Sequence, residues 1–218
     1  MEKENKVLII TGGRAEEEFL SLLLERERFH VVIAADSGLS VADRLKLKLD
    51  DIVGDFDSVP EEILDRYGGK EIPTHRFPRE KDKTDTHIAL ELALMQKPTS
   101  ITIVGGTGSR LDHVLANIHL LLLPMQLGIP AAMVDANNKI YLKNKSFTIE
   151  RAGQFGDYVS LMPFTERVKG LTLKGFKYPL DHIILEAGSS LGISNEISGE
   201  LGEVEFLEGI LLVMETRD

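Results

Sequence analysis

The chain has no cysteine and no tryptophan, and only 6% of its 218 residues are aromatic. Without thiols, neither disulfides nor thiolate metal sites exist, which fits a reducing cytoplasm. No apolar run approaches the ~20 residues that a transmembrane helix needs. The first six residues, Met-Glu-Lys-Glu-Asn-Lys, are charged and lack the apolar core of a signal peptide. Positive charge is in deficit: 25 Lys and Arg face 35 Asp and Glu, for a formal net charge of −10. With no basic stripe, bulk electrostatic binding to nucleic acid is excluded, whereas a cationic partner or a metal-complexed phosphate is favoured. What is present is ordinary for a globular protein with a substantial core: 43% hydrophobic and 28% charged residues. The expectation is a cytoplasmic protein that binds neither nucleic acid nor membrane.

Along the first two-thirds, strand-like and helix-like patterns alternate. Apolar runs at 7–11, 30–35, 52–53, 72–77 and 101–104 are separated by helical patterns at 16–28, 39–47, 86–96 and 110–127, with Pro60 opening a short helix. Gly128 is placed to end the last of these. Such alternation predicts a mostly parallel sheet with flanking helices. After Pro130 the helical period disappears. Short strand-like runs at 146–149, 158–162, 170–173, 182–186, 203–206 and 211–215, punctuated by Gly and Pro, predict an all-β sandwich or roll. The expected division is an α/β domain over 1–144 and an all-β domain over 145–218.

Acids gather where the strands end. If Gly-Asp-Phe-Asp-Ser (54–58) continues a strand, side chains alternate with period two. Asp55 and Asp57 then share one side, and Phe56 points into the core. Paired carboxylates at the end of a buried strand repel each other unless a cation lies between them. Mg2+ suits that oxygen-rich setting and leaves positions for phosphate oxygens. A polar loop facing water is the alternative for one such pair. Asp36, in Ala-Ala-Asp-Ser-Gly (34–38), closes another strand-like run. Asp82 and Asp85 lie in Lys-Asp-Lys-Thr-Asp (81–85), before a helical pattern. There Thr84 or Asp85 can serve as helix N-cap, and Lys81 as a solvated charge. If the segment is helical, the i, i+3 spacing puts both acids on one face.

A fourth cluster, Gly-Gly-Thr-Gly-Ser-Arg-Leu-Asp-His (105–113), follows 101–104. Its small residues let backbone N–H groups approach an anion at a helix N-terminus, with Arg110 adding charge. It is neither a Walker A loop nor GxGxxG. In open α/β sheets ligands bind at the carboxyl ends of strands, so the coincidence of these clusters points to metal-assisted phosphate chemistry. From the residues alone the readings are a Mg2+-dependent phosphotransferase or a non-catalytic nucleotide-binding module.

Taken in order, Ala-Asp-Ser-Gly (35–38), Gly-Asp-Phe-Asp-Ser (54–58), Lys-Asp-Lys-Thr-Asp (81–85) and the glycine-rich run with Asn117 resemble the motifs of thiamine pyrophosphokinases. Phe-Lys-Tyr-Pro-Leu (176–180) and Leu-Gly-Ile-Ser-Asn-Glu (191–196) resemble that family's second domain. Ser37 and Ser109 stand where many members carry glycine, and no Trp is present to stack on thiamine. The resemblance implies an α/β nucleotide-binding catalytic domain and a β thiamine-binding domain, working as a homodimer with sites at the interface. It implies transfer of the pyrophosphoryl group of ATP to the thiamine hydroxyl, with release of AMP and dependence on Mg2+. On this reading Asp55, Asp57, Asp82 and Asp85 hold the metal, with Asp36 beside them. Gly105, Gly106 and Arg110 steady the phosphates. Asp112, His113 and Asn117 line the nucleotide side, and Ser194 and Asn195 contact thiamine. His113 as a helix-start hydrogen bonder and Asn117 as a buried structural amide stay open as alternatives.

Overall fold

The computed structural model describes residues 4–68, 71–77 and 82–218, which form two compact units, Met1–Ala136 and Asn137–Asp218. In the first unit the strands are β1 (Lys6–Ile10), β2 (Val31–Ala35), β3 (Asp51–Gly54), β4 (Thr74–Arg76), β5 (Ser100–Val104) and β6 (Ala131–Val134). Their spatial order is β4-β3-β2-β1-β5-β6, and every pairing is parallel. Val7, Leu8, Ile9 and Ile10 are fully buried, the continuous apolar run of a strand covered on both faces. Leu8, Ile10, Ala34 and Ile52 share a core with Leu20 of α1 (Glu17–Arg26), Leu39 and Ala42 of α2 (Gly38–Arg44), and Ile63 and Tyr67 of α3 (Glu61–Gly68). Ile9 and Ile33 point the opposite way. α4 (Asp85–Met95) packs against β1, β2 and β3.

The chain lays β2, β3 and β4 outward on one side of β1, then returns to place β5 on the other side. The strand order therefore reverses between β1 and β5. A crevice opens at the carboxyl ends at such a point, because successive connections leave in opposite directions.

The helix expected over 110–127 is two helices, α5 (Leu111–Leu120) and α6 (Leu122–Gln126). Pro124 accounts for the break. It has no N–H to give to the carbonyl of Leu120, and its ring crowds that carbonyl. Gly128, at φ +72°, closes α6 as expected, with its N–H donating to the Met125 carbonyl at 3.0 Å.

The second unit is all-β. β7 (Asn138–Lys143), β13 (Leu211–Thr216) and β9 (Tyr158–Pro163) form an antiparallel set in the order β7-β13-β9. β11 (Leu180–Glu186), β10 (Arg167–Lys174), β12 (Leu201–Glu205) and β8 (Phe147–Glu150) form a four-stranded antiparallel sheet in that order. Val159, Leu161, Val168, Leu171, Leu173, Val204, Leu211 and Val213 supply its core.

Candidate active site at the carboxyl edge of the parallel sheet

The turns after β1 and β5 lie backbone to backbone across the reversal point. The Gly13 N–H donates to the Gly105 carbonyl at 2.9 Å, and the Arg14 N–H to the Thr107 carbonyl at 2.7 Å. A Cβ on Gly13 would collide with those two carbonyls, and one on Gly105 with the Thr11 carbonyl. Gly105 also has φ +78°, which a side chain would disfavour. Gly106 lies against Met133 of β6 with no room for a Cβ. The glycines thus have a packing reason of their own: they let two loops interlock at the mouth of the crevice.

The acids of β2 and β3 stand beside this pair of turns. Asp36 immediately follows β2 in the left-handed region (φ 50°), and its N–H donates to the Val53 carbonyl at 2.8 Å. Its Oδ1 accepts from the Ser58 hydroxyl at 2.7 Å, tying it to the turn after β3. A Cβ on Gly12 would lie 3.1 Å from Asp36 Oδ2 and 2.7 Å from Ser37 Oγ, so this carboxylate also abuts the turn after β1. The Ser37 hydroxyl donates to the Gly12 carbonyl at 3.0 Å.

The extended backbone expected through Asp55 and Asp57 is absent. β3 ends at Gly54, Phe56 is left-handed at φ 64°, and Asp55 Oδ1 accepts the Asp57 N–H at 3.0 Å in an Asx turn. The local side-chain bond outcompetes continuation of the ladder. Phe56 is buried as expected, and a bulky residue at positive φ is a strained arrangement of the kind that clusters at functional sites.

Asp82 precedes α4 in a bend, and Asp85 is the first helical residue, so the two do not share a helical face. Thr84 is the N-cap: its hydroxyl accepts the His87 N–H at 3.2 Å. Lys83 is drawn back along α4 to both carboxylate oxygens of Glu91, at 2.7 and 2.8 Å. The start of α4 is fixed to the crevice by Thr86, whose buried hydroxyl lies 2.6 Å from that of Thr11. Lys81 falls outside the described residues.

Arg110 and Asp112, at the start of α5, hold each other through two bonds, Nη2 to Oδ2 at 2.6 Å and Nε to Oδ1 at 3.3 Å. The guanidinium lowers the Asp112 carboxyl below its ordinary pKa, and the carboxylate raises that of Arg110. His113 is exposed beside them. Asn117 is buried, and its amide donates to the Gly106 carbonyl at 2.9 Å, securing the glycine-rich turn to α5.

In the second unit Ser194 is exposed, left-handed at φ 55°, and donates its N–H to Ser160 Oγ at 3.0 Å. Asn195 is buried and grips one residue from both sides. Its Oδ1 accepts the Tyr178 N–H at 3.0 Å, and its Nδ2 donates to the Tyr178 carbonyl at 2.8 Å. Tyr178 is 58% exposed, although its backbone is clamped. Lys177 lies over its ring at 5.7 Å and pairs with Glu196 at 2.6 Å. A cavity of about 850 Å3 lined by Glu150, Arg151, Ser198 and Leu201 contains none of the expected site residues.

Among the described residues no three His, Asp or Glu side chains are gathered at metal-ligating distance. Mg2+ needs less: one or two carboxylates, with the remaining positions filled by water and phosphate oxygens. Hard oxygen donors on the turns after β2 and β3 fit that demand. The residues that sequence reasoning passed over are connectors. Gly12 and Gly13 were visible as a pair closing the first strand, and Ser58 as the last letter of its motif. Tyr178 was visible only as part of the motif at 176–180, and Thr11 and Thr86 carried no signal of their own.

Two family models match the chain: the thiamin pyrophosphokinase catalytic domain over residues 22–133, and the thiamin pyrophosphokinase vitamin B1 binding domain over 146–211. A thiamine pyrophosphokinase of Bacillus subtilis is 39% identical over 166 residues, covering 76% of this chain and 77% of that protein. The crystal structure of thiamine pyrophosphokinase from Bacillus subtilis superposes with a TM-score of 0.88 at 32% identity, covering 98% of this chain and 100% of that one. That of thiamin pyrophosphokinase from Geobacillus thermodenitrificans gives 0.84 at 33% identity, covering 98% of each.

Proposed function

The chain belongs to the thiamin pyrophosphokinase family, and from that premise we propose that the carboxyl edge of its parallel sheet is where a pyrophosphoryl group passes from ATP to thiamine. It is an enzyme, a thiamine diphosphokinase of thiamine diphosphate biosynthesis. The oxygen of the thiamine hydroxyl attacks the β-phosphorus of ATP. The bond from that phosphorus to the α–β bridging oxygen breaks, AMP leaves, and the hydroxyl proton is lost. Little covalent work falls to the protein in such a transfer, so positioning and charge compensation carry the rate.

Asp55 and Asp57, with Asp82 or Asp85, would hold Mg2+, which when bound neutralises the charge that builds on the phosphate oxygens. Asp36, fixed by Ser58, orders the same edge. Arg110, Gly105 and Gly106 steady the phosphates, with Asp112 and His113 on the nucleotide side. Asn117 acts through the turn it secures. Ser194 and the exposed ring of Tyr178 are assigned to thiamine, whose cationic ring suits an aromatic face. Asn195 serves that contact by fixing Tyr178. We further assign the protein to a homodimer with its sites at the subunit interface, and to the cytoplasm. Among the described residues no helix is long and apolar enough to cross a membrane.

The observation that carries this reading is the tie between the acid-bearing turns of β2 and β3, through Asp36 and Ser58, on the same carboxyl edge as the reversal of strand order between β1 and β5. The test is to incubate the purified protein with ATP, Mg2+ and thiamine and to identify both products by mass. Thiamine diphosphate with stoichiometric AMP is expected. ADP with a thiamine monophosphate ester would overturn the pyrophosphoryl mechanism while leaving the site in place.

A further inference from the structure

We infer that the buried Thr11–Thr86 hydroxyl pair is a positioning device that sets the acidic start of α4 against the turns after β1 and β5. The inference rests on reading that edge as the metal–nucleotide site. Thr11 is the first residue past β1 and Thr86 the second residue of α4. They are only 4% and 6% exposed, and their oxygens lie 2.6 Å apart.

Packing does not require hydroxyls here. α4 is already anchored by buried Ala89, Leu90 and Ala93, and two valines would fill the same volume as two threonines. A hydrogen bond adds what apolar contact lacks, a fixed direction and depth for the first turn of the helix. That turn carries Asp85, its cap Thr84 and, just before it, Asp82. At its other end, Thr11 belongs to the interlocked turns. Its N–H donates to the Val104 carbonyl at 2.9 Å, and its own carbonyl lies against Gly105. The pair therefore connects the acids of α4 to both strands that flank the crevice. Of those acids Asp85 is set by the first turn of α4 itself, and Asp82 precedes the helix, so both depend on how that turn is placed.

The test uses Thr86→Val, Thr11→Val, the double valine variant and Thr86→Ser in the full-length protein. Three quantities are measured: calorimetric binding of a non-hydrolysable ATP analogue with Mg2+, KM for ATP and for thiamine, and the thermal midpoint. Each single valine variant is expected to weaken analogue binding and raise KM for ATP about tenfold, within the range of directly coupled pairs. KM for thiamine stays within about twofold on the same scale of reasoning, since uncoupled sites add little. Thr86→Ser, which keeps the hydroxyl, restores binding. The double variant is decisive. Removing both partners lifts the penalty of one stranded buried hydroxyl, so the midpoint recovers. Analogue binding does not recover, because the orienting bond is still missing. Binding that recovers together with the midpoint would make the pair merely structural and overturn the inference, as would additive losses in the double variant. Wild-type protein that neither binds the analogue nor forms AMP would overturn the site reading itself, and the inference with it.

Discussion

Asp57 follows the residue that makes the turn after β3 unusual. Phe56 holds φ 64° because its ring is buried in the core, and the Asp57 N–H closes an Asx turn on Asp55. Asp57→Asn keeps that backbone bond and removes only the charge. Turnover should fall by about a hundred- to a thousandfold, the loss typical when a charge-stabilising group is deleted. The circular dichroism spectrum and thermal midpoint should stay at wild-type values, and near-wild-type turnover would remove Asp57 from the mechanism. For Tyr178 the exposed ring on a clamped backbone leads to a narrower expectation. Tyr178→Leu should raise KM for thiamine by roughly two- to thirtyfold, the span of a cation–π contact. Tyr178→Phe should not, and steady-state kinetics decide between them. Much at this scale was legible in the sequence, and for a reason. Acids beside small residues at strand ends are chemically conspicuous wherever they stand. The backbone beneath them was not legible, because period-two alternation has no term for a left-handed Phe56. Asn117 and Asn195 sit in recognisable motifs, yet their amides are spent on the Gly106 and Tyr178 backbones. Residue type alone does not separate those roles from ligand contact.

Elements were read from periodicity, and periodicity failed where one residue overrode it. The pattern over 110–127 is apolar at helical spacing throughout, but Pro124 splits it into α5 and α6. The acids at 82 and 85 were to share a face only if their segment were helical; Thr84, one of the two cap candidates, caps α4 between them, so only the second is helical. The run 211–215 was legible as a strand, β13, while the buried charge within it was invisible. Glu215 is 2% exposed, accepts the Phe155 N–H at 2.7 Å and pairs with Lys139 at 3.3 Å. Its carboxylate and the burial around it push the Tyr141 hydroxyl far above its ordinary pKa, burial being the larger cause. The sign of the consequence follows from linkage. Above about pH 10 the unfolded tyrosine loses its proton while the folded one keeps it, so stability is complete below that pH and falls as pH rises beyond it. Denaturant titrations between about pH 8 and 11.5 should show wild type losing about 1.4 kcal/mol per pH unit more than Tyr141→Phe once past the tyrosine range. Equal slopes for the two proteins would mean that Tyr141 ionises as freely folded as unfolded.

At the scale of the whole molecule, strand–helix alternation followed by a run of short strands was enough to foresee an α/β unit and an all-β unit. The position of the crevice was not, since strand order depends on which side of β1 the chain returns to, and local pattern carries no record of that choice. Net charge, by contrast, is a whole-molecule property that the sequence states outright, and its consequence is kinetic. A formal charge of −10 surrounds the protein with a potential that concentrates a cation such as thiamine. It favours metal-complexed phosphate only relative to free ATP, because Mg2+–ATP stays anionic and is still repelled. Salt shortens the reach of that field, from about 30 Å at 0.01 M to about 8 Å at 0.15 M ionic strength. KM for thiamine should therefore rise on the order of a few-fold across that interval, while KM for Mg2+–ATP falls or holds. Their ratio is the informative quantity, because any general effect of salt on turnover cancels from it. Tyr178→Leu should shift KM for thiamine at every ionic strength yet keep the same salt slope, since a contact at one ring does not alter the field of the molecule. If both KM values rise by one factor, capture of the two substrates is set by local contacts, and the acidic balance of the chain serves solubility instead.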